Sequence, residues 1–217
     1  MSHFEERMEA DLQIIRDKVW KIGEDVEAAL YSAKKVMILR ESELAYRTVL
    51  GDHPINREAR ECDRLCHTFI ARHLPGASPL REMAATSRVS VALERIGDYA
   101  VTICREALQV NSPLSEQLSG YIDSNFDESI TILHDARKAF RDGNAEMAIA
   151  LMKVAKRVQG KMDGVYNTLF AEDDRMDGAT MMAVFVVFNL LKRVADQAKN
   201  ICDQTVYTVK GIAKIPK

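Results

Sequence analysis

The chain has 217 residues, 47% of them hydrophobic and 29% charged, and its 30 basic and 32 acidic side chains leave a net charge of −2. That balance excludes a disordered chain and provides no global field to recruit nucleic acid or an anionic bilayer. Five prolines and 6% aromatics against ten methionines favour helix and argue against a β-sandwich or barrel.

Apolar residues fall at Phe4, Met8, Leu12, Ile15, Val19, Ile22, Val26, Leu30, Ala33 and Met37. Steps of three and four sustained this far predict one helix roughly 50 Å long, a length suited to a bundle. A second helix is predicted from about 41 to 73. Gly51-Asp52-His53-Pro54 interrupts it, because Pro54 lacks the N–H that would continue the ladder. Leu74-Pro75-Gly76-Ala77 breaks the chain. Ser78 then reads as the N-cap and Pro79 as the first position of a third helix, which points Val89, Leu93, Ile96 and Ile103 inward and ends near Val110. Asn111-Ser112-Pro113 repeats the cap-then-proline signal ahead of a fourth helix, which stops near Arg141 at Asp142-Gly143. A fifth is predicted from Asn144 to about Phe170, and a sixth from about Gly178 to Lys210, closed by Gly211. Ala183 to Phe188 would read as a buried strand in isolation; inside a long run without breakers it reads as buried helix.

The longest uncharged stretch, Gly178 to Leu191, falls short of the about 20 residues a bilayer span requires. Met1-Ser2-His3-Phe4-Glu5-Glu6 is not a basic segment leading into an apolar one, so no signal peptide is expected. Cys62, Cys66, Cys104 and Cys202 form no CxxC pair, which fits a reducing cytosol.

Residues 90–105 and 188–203 align without gaps, with identities at Leu93/Leu191, Arg95/Arg193, Asp98/Asp196, Ala100/Ala198, Ile103/Ile201 and Cys104/Cys202. The expected fold is therefore all-α: two tandem three-helix bundles, 4–110 and 113–213.

Phosphate-binding loops, dinucleotide fingerprints, HExxH and the GxSxG elbow do not occur. No histidine follows a glutamate by three residues, so the ferritin-like ligand pattern fails too. What remains is Glu94 and Asp98, two carboxylates on one helix face. A neighbouring Arg88 or Arg95, or plain solvation, explains such a pair; so does a hard cation held by oxygens from two helices. Cys62 and Cys66 could share a face with His67 or His73 as ligands, but buried thiols at helical spacing read as core. Cys104 and Cys202 read the same way, as do the methionines, which could alternatively form an adaptable contact surface. Trp20 reads as packing.

Leu93-Glu94-Arg95-Ile96-Gly97-Asp98-Tyr99-Ala100 resembles the signature of the PhoU family, and the order of six helices and the repeat agree over about residues 4–213. The resemblance implies a cytoplasmic, non-enzymatic regulator of phosphate uptake that is peripheral to the membrane and does not bind nucleic acid. It further implies an adaptor between the ATPase of a phosphate ABC transporter and a sensor histidine kinase, with a homodimer as a plausible assembly. Some family members bind iron, zinc or other metals through acid-x-x-x-acid motifs. Here those motifs fall on Asp52 and Asn56 and on Glu94 and Asp98, with Tyr99 where histidine is common. A turn broken at Pro54 would spoil the Asp52–Asn56 geometry unless Asp52 acted as a cap. In the second bundle Lys192 replaces the acid before Asp196 and Gln159 the acid before Asp163. A divalent or ferric ion is therefore expected at the first bundle only, with Lys192 as an internal counter-ion in the second. The alternatives are a paralogue serving another transporter and a metal-storage or redox protein.

Overall fold

The structure, a computed structural model, describes residues 3–162, 164 and 176–211. Among these residues there are seven α-helices and no strand. They are α1 (His3–Leu39), α2 (Ser42–Leu50), α3 (Asp52–His73), α4 (Ala77–Ala107), α5 (Glu116–Arg141), α6 (Ala145–Met162) and α7 (Gly178–Lys210). The expected all-α class is the one observed. The apolar stripe of α1 is buried from Leu12 to Met37, whereas Phe4 is exposed and sets its ring edge-on to His73, 5.7 Å between centroids.

Three predicted boundaries shift, each for a local reason. The second helix breaks at Gly51 rather than at Pro54. Gly51 ends α2 by donating to the Arg47 carbonyl at 2.9 Å, and Pro54 sits in the first turn of α3, where backbone N–H groups have no intrahelical acceptor. Gly76, not Ser78, precedes the first residue of α4, so Pro79 is also a first-turn residue. Ser115 caps α5 by accepting from the Leu118 N–H at 3.2 Å. The expected cap at Asn111-Ser112 serves the junction between halves instead. The backbone N–H groups of both residues donate to the buried Thr180 hydroxyl oxygen at 3.0 Å, and the Ser112 hydroxyl donates to Asp177. Asp177 in turn caps α7, accepting from the Thr180 N–H at 2.9 Å. These bonds, that of Ser112 first, hold its carboxyl far below the usual range. Asn144 caps α6 by accepting from the Met147 N–H; the predicted extension to Phe170 lies outside the described residues.

α1, α3 and α4 pack on one another, as do α5, α6 and α7, and the most extensive helix pair joins the two sets through α4 and α7. These two run antiparallel. Arg81 donates to the Thr208 carbonyl at 3.4 Å, while Arg88, further along α4, meets Gln204 and lies over the Tyr207 ring. The buried apolar side chains of both sets form one continuous core. α7 is, by length and composition, apolar enough to cross a membrane, with a mean hydropathy of 1.5 over its best window. Counting only its uncharged stretch understated this. Half of that window is buried in the fold, as befits a central core helix.

A second link between the sets runs along α1 and α5. Arg137 is 4% exposed and falls on the apolar stripe of α5 between Leu133 and Phe140. Its guanidinium donates to Glu27 and to the Trp20 carbonyl at 2.9 Å, and lies 4.4 Å from the centroid of the Trp20 ring. Arg141 covers the same ring at 4.1 Å. Trp20 is thus a platform for two cations rather than simple packing. Gly23 makes room for this arrangement, because a Cβ there would stand 1.9 Å from Arg137 Nε. At the other end of the contact Lys34 bridges Asp123 and Asp127 at 3.0 and 2.7 Å.

Gly23→Ala should therefore displace Arg137 from Glu27, leaving that carboxylate with His134 at 3.3 Å, and cost about 3 kcal/mol, the lower end of what breaking a buried ion pair costs. Urea unfolding followed by Trp20 fluorescence measures it. Removing both charges together, with Arg137→Met and Glu27→Gln, should cost less than Arg137→Met alone.

Candidate functional site

The break at Gly51 makes Asp52 the first residue of α3, so the turn from Asp52 to Asn56 is intact and the expected disruption by Pro54 does not occur. Asn56 Nδ2 donates to Asp52 Oδ2 at 2.7 Å. That bond leaves Asp52 Oδ1 and Asn56 Oδ1, both buried, without a hydrogen-bond donor among the described residues. Such orphaned acceptors cost about 1–3 kcal/mol each, so they signal a missing positive or donating group.

α4 supplies the facing surface. A Cβ on Gly97 would lie in ordinary van der Waals contact, 3.7 Å from Asp52 Oδ1 and 3.4 Å from Ile55, so this stretch of α4 directly faces Asp52. The next residue, Asp98, is reached by solvent, yet its carboxyl pKa is raised, first by the surrounding protein and then by the Asp52 charge. Glu94, partly buried, lies one turn earlier on α4. The structure thus brings Asp52, Asn56 and Asp98 together, with Glu94 on the same helix as Asp98.

Among the described residues no three of histidine, cysteine, aspartate and glutamate converge as a metal-binding group. The donor set of the first half is two carboxylates and an amide oxygen. It suits one hard cation and contains neither the imidazole nor the thiolate that zinc favours. In the second half Gln159 Nε2 donates to Asp196 Oδ1 at 2.5 Å. A neutral amide there satisfies the carboxylate directly; Asp163 lies outside the described residues. Cys62 and Cys66 are fully buried on α3, as the core reading expected, as are Cys104 and Cys202.

A PhoU domain matches residues 19–107. The phosphate-specific transport system accessory protein PhoU of Escherichia coli strain K12 is 32% identical over 212 residues, covering 96% of this chain and 88% of that protein. The chain belongs to the PhoU family. A PhoU homolog of Pseudomonas putida is 29% identical and also covers 96% of the chain. The crystal structure of PhoU from Pseudomonas aeruginosa superposes with a TM-score of 0.85 at 28% identity, covering 94% of this chain and 99% of that one. A phosphate transport system regulatory protein PhoU from Streptococcus pneumoniae superposes at 0.88 with 22% identity, covering 96% and 100%, and shares the fold.

The Arg137–Glu27–Trp20 constellation was not anticipated from the sequence. Its signal was present as a lone arginine in a stripe otherwise formed by Phe126, Ile130, Leu133 and Phe140.

Because Asp98 binds its proton more tightly in the fold, its ionised form opposes folding at neutral pH. The penalty is full above the raised pKa and is relieved as pH falls through it towards the unfolded value. Asp98→Asn should therefore raise the thermal midpoint slightly at pH 7, with no gain below about pH 3.5. Calorimetry at the two pH values checks the sign.

Proposed function

We propose that this chain is a non-enzymatic regulator of phosphate transport, acting as an accessory protein of a phosphate-specific transport system. The observation that carries the reading is the 32% identity to the Escherichia coli accessory protein over nearly the whole chain. Its finer form is an adaptor in the cytoplasm, peripheral to the membrane. There it links the transporter ATPase to a sensor histidine kinase through its two halves, 4–110 and 113–213, as a monomer or homodimer. Helical faces and shallow grooves suit binding by an adaptor better than turnover by an enzyme.

We further propose that Asp52, Asn56 and Asp98 hold one oxygen-ligated cation, with Glu94 available from the next turn. The two orphaned oxygens and the raised Asp98 pKa support this. A bound cation would neutralise the repulsion between the carboxylates. In the second half the Gln159–Asp196 bond, with Lys192 one turn from Asp196, takes the cation's place. That departure also keeps a second reading in view, a PhoU paralogue that serves a different transporter.

Deleting the gene in its host should derepress a phosphate-starvation reporter and increase phosphate uptake in phosphate-rich medium. Unchanged reporter and uptake, with no second PhoU gene present, would move the assignment to the paralogue. Titration calorimetry with Mn2+ should give one ion per chain and none for Asp52→Asn; two ions in the wild type would refute the one-site reading.

A further inference from the structure

The seam between α4 and α7 carries a groove of about 300 Å3. One stripe of each helix lines it: Arg88, Ala92 and Arg95 from α4, and Gln197, Asn200 and Gln204 from α7. Steps of three and four place each set on a single helix face. None of the lining residues is acidic, and the hydroxyl of Ser87, also on the wall, is committed to Asp63 of α3. In a chain of net charge −2 this sets the groove apart. Three others are lined by Asp17 and Glu82, by Asp25 and Asp52, and by Asp123 and Asp127.

Its cations have no counter-ion. Arg16, Arg64, Arg72 and Arg137 each hold a carboxylate. Among the described residues Arg88 meets only the Gln204 amide oxygen, at 3.4 Å, and the Tyr207 ring, and Arg95 has neither an ion pair nor a hydrogen bond. Gln197 is 8% exposed, and its Oε1 accepts from Asn200 Nδ2 at 3.3 Å. Its own amide N–H groups, in the groove wall, have no acceptor among the described residues. Arg88, Arg95 and Asn200 are exposed, so the groove is open to solvent. Nor does packing two repeated helices require this chemistry. In the repeat Arg88 corresponds to Val186, Gln197 to Tyr99 and Gln204 to Glu106, so the equivalent positions carry a single cation, Arg193, and an acid.

We propose that this groove binds a phosphoryl dianion, with Arg88 and Arg95 supplying the charge and the Gln197 and Asn200 amides the neutral donors. Two guanidiniums and a row of carboxamides, with no carboxylate among them, match a tetrahedral ion that accepts through several oxygens. A cation would be repelled, and an apolar ligand would leave the guanidiniums and the Gln197 amide unpaired. A carboxylate would bring one charge to two guanidiniums. The volume of about 300 Å3 admits inorganic phosphate or a small phosphate ester. That the free ion is the occupant rests on the reading of this chain as a regulator of phosphate transport; the oxyanion site rests on the groove alone.

The full chain is titrated in metal-free buffer at constant ionic strength and about pH 7.5, where a phosphate monoester is dianionic. Sodium phosphate, glycerol 3-phosphate and sodium acetate are the probes. NMR follows the Nε–H signals of Arg88 and Arg95 and the side-chain amides of Gln197 and Asn200. Phosphate should shift all four together and bind about tenfold more tightly than acetate. Arg95→Gln and Arg88→Gln should each weaken phosphate about tenfold, the loss of one charged hydrogen-bonding partner, in chains whose far-ultraviolet circular dichroism is unchanged. Arg193→Gln, the repeat equivalent outside the groove, should keep the affinity within about twofold. Tighter binding of phosphate than of glycerol 3-phosphate assigns the site to the free ion, and the reverse order assigns it to an ester. Acetate binding as tightly as phosphate would overturn the proposal and give the groove to an acidic side chain. So would an affinity that Arg95→Gln leaves unchanged, or no shift at these four residues. Absent shifts beside a derepressed reporter in the deletion strain would sink the site and keep the regulator reading. Phosphate binding beside an unchanged reporter would keep the site and move the assignment to the paralogue.

Discussion

The antiparallel contact between α4 and α7 is the constraint on which the molecule depends. Each belongs to a different half, and each packs both on helices of its own half and on the other. Burying their apolar stripes against one another merges two small cores into one. Small cores are marginal, because the fraction of surface a fold removes from water rises with its size. Two further links join the halves: the Ser112–Asp177–Thr180 lock at the junction and the Arg137 joint along α1 and α5. α7 is correspondingly the most apolar of the described helices, and half of its most apolar window is buried in the fold.

Helix existence and order were legible because the 3.6-residue period persisted over many turns. The stripe from Leu12 to Met37 could hardly be read otherwise. Helix starts were less legible for a specific reason. Pro79 reads as a first helical residue and Pro54 as an interruption, yet both stand third in their helices, a position that equally lacks an intrahelical acceptor. Ser112 failed as a cap because its hydroxyl is committed to Asp177, 65 residues away in sequence, and no local pattern reports a partner at that distance. At the candidate site the residue types could be read from motif resemblance. Which oxygens are left unpaired depends on the Asn56–Asp52 bond within α3 and on the burial of those oxygens, neither of which a residue motif specifies.

The two halves handle negative charge differently. In the second, Lys34 bridges Asp123 and Asp127, and Gln159 donates to Asp196. In the first, Asp52 and Asp98 repel one another across α3 and α4, and the donor to Asp52 is the Asn56 amide rather than a cation. A positive charge from outside would relieve the repulsion between Asp52 and Asp98.

The pairing of α4 with α7 also fixes the order in which the chain can become stable during synthesis. α4 ends at Ala107 and α7 at Lys210. At ribosomal rates of about 5–20 residues per second, α4 is complete for roughly 5–20 s before its main partner has been made. Throughout that interval the nascent first half carries an uncovered apolar surface, a substrate for ribosome-bound chaperones. A message truncated anywhere before α7 would yield a polypeptide with that surface permanently exposed and a correspondingly short lifetime in the cell.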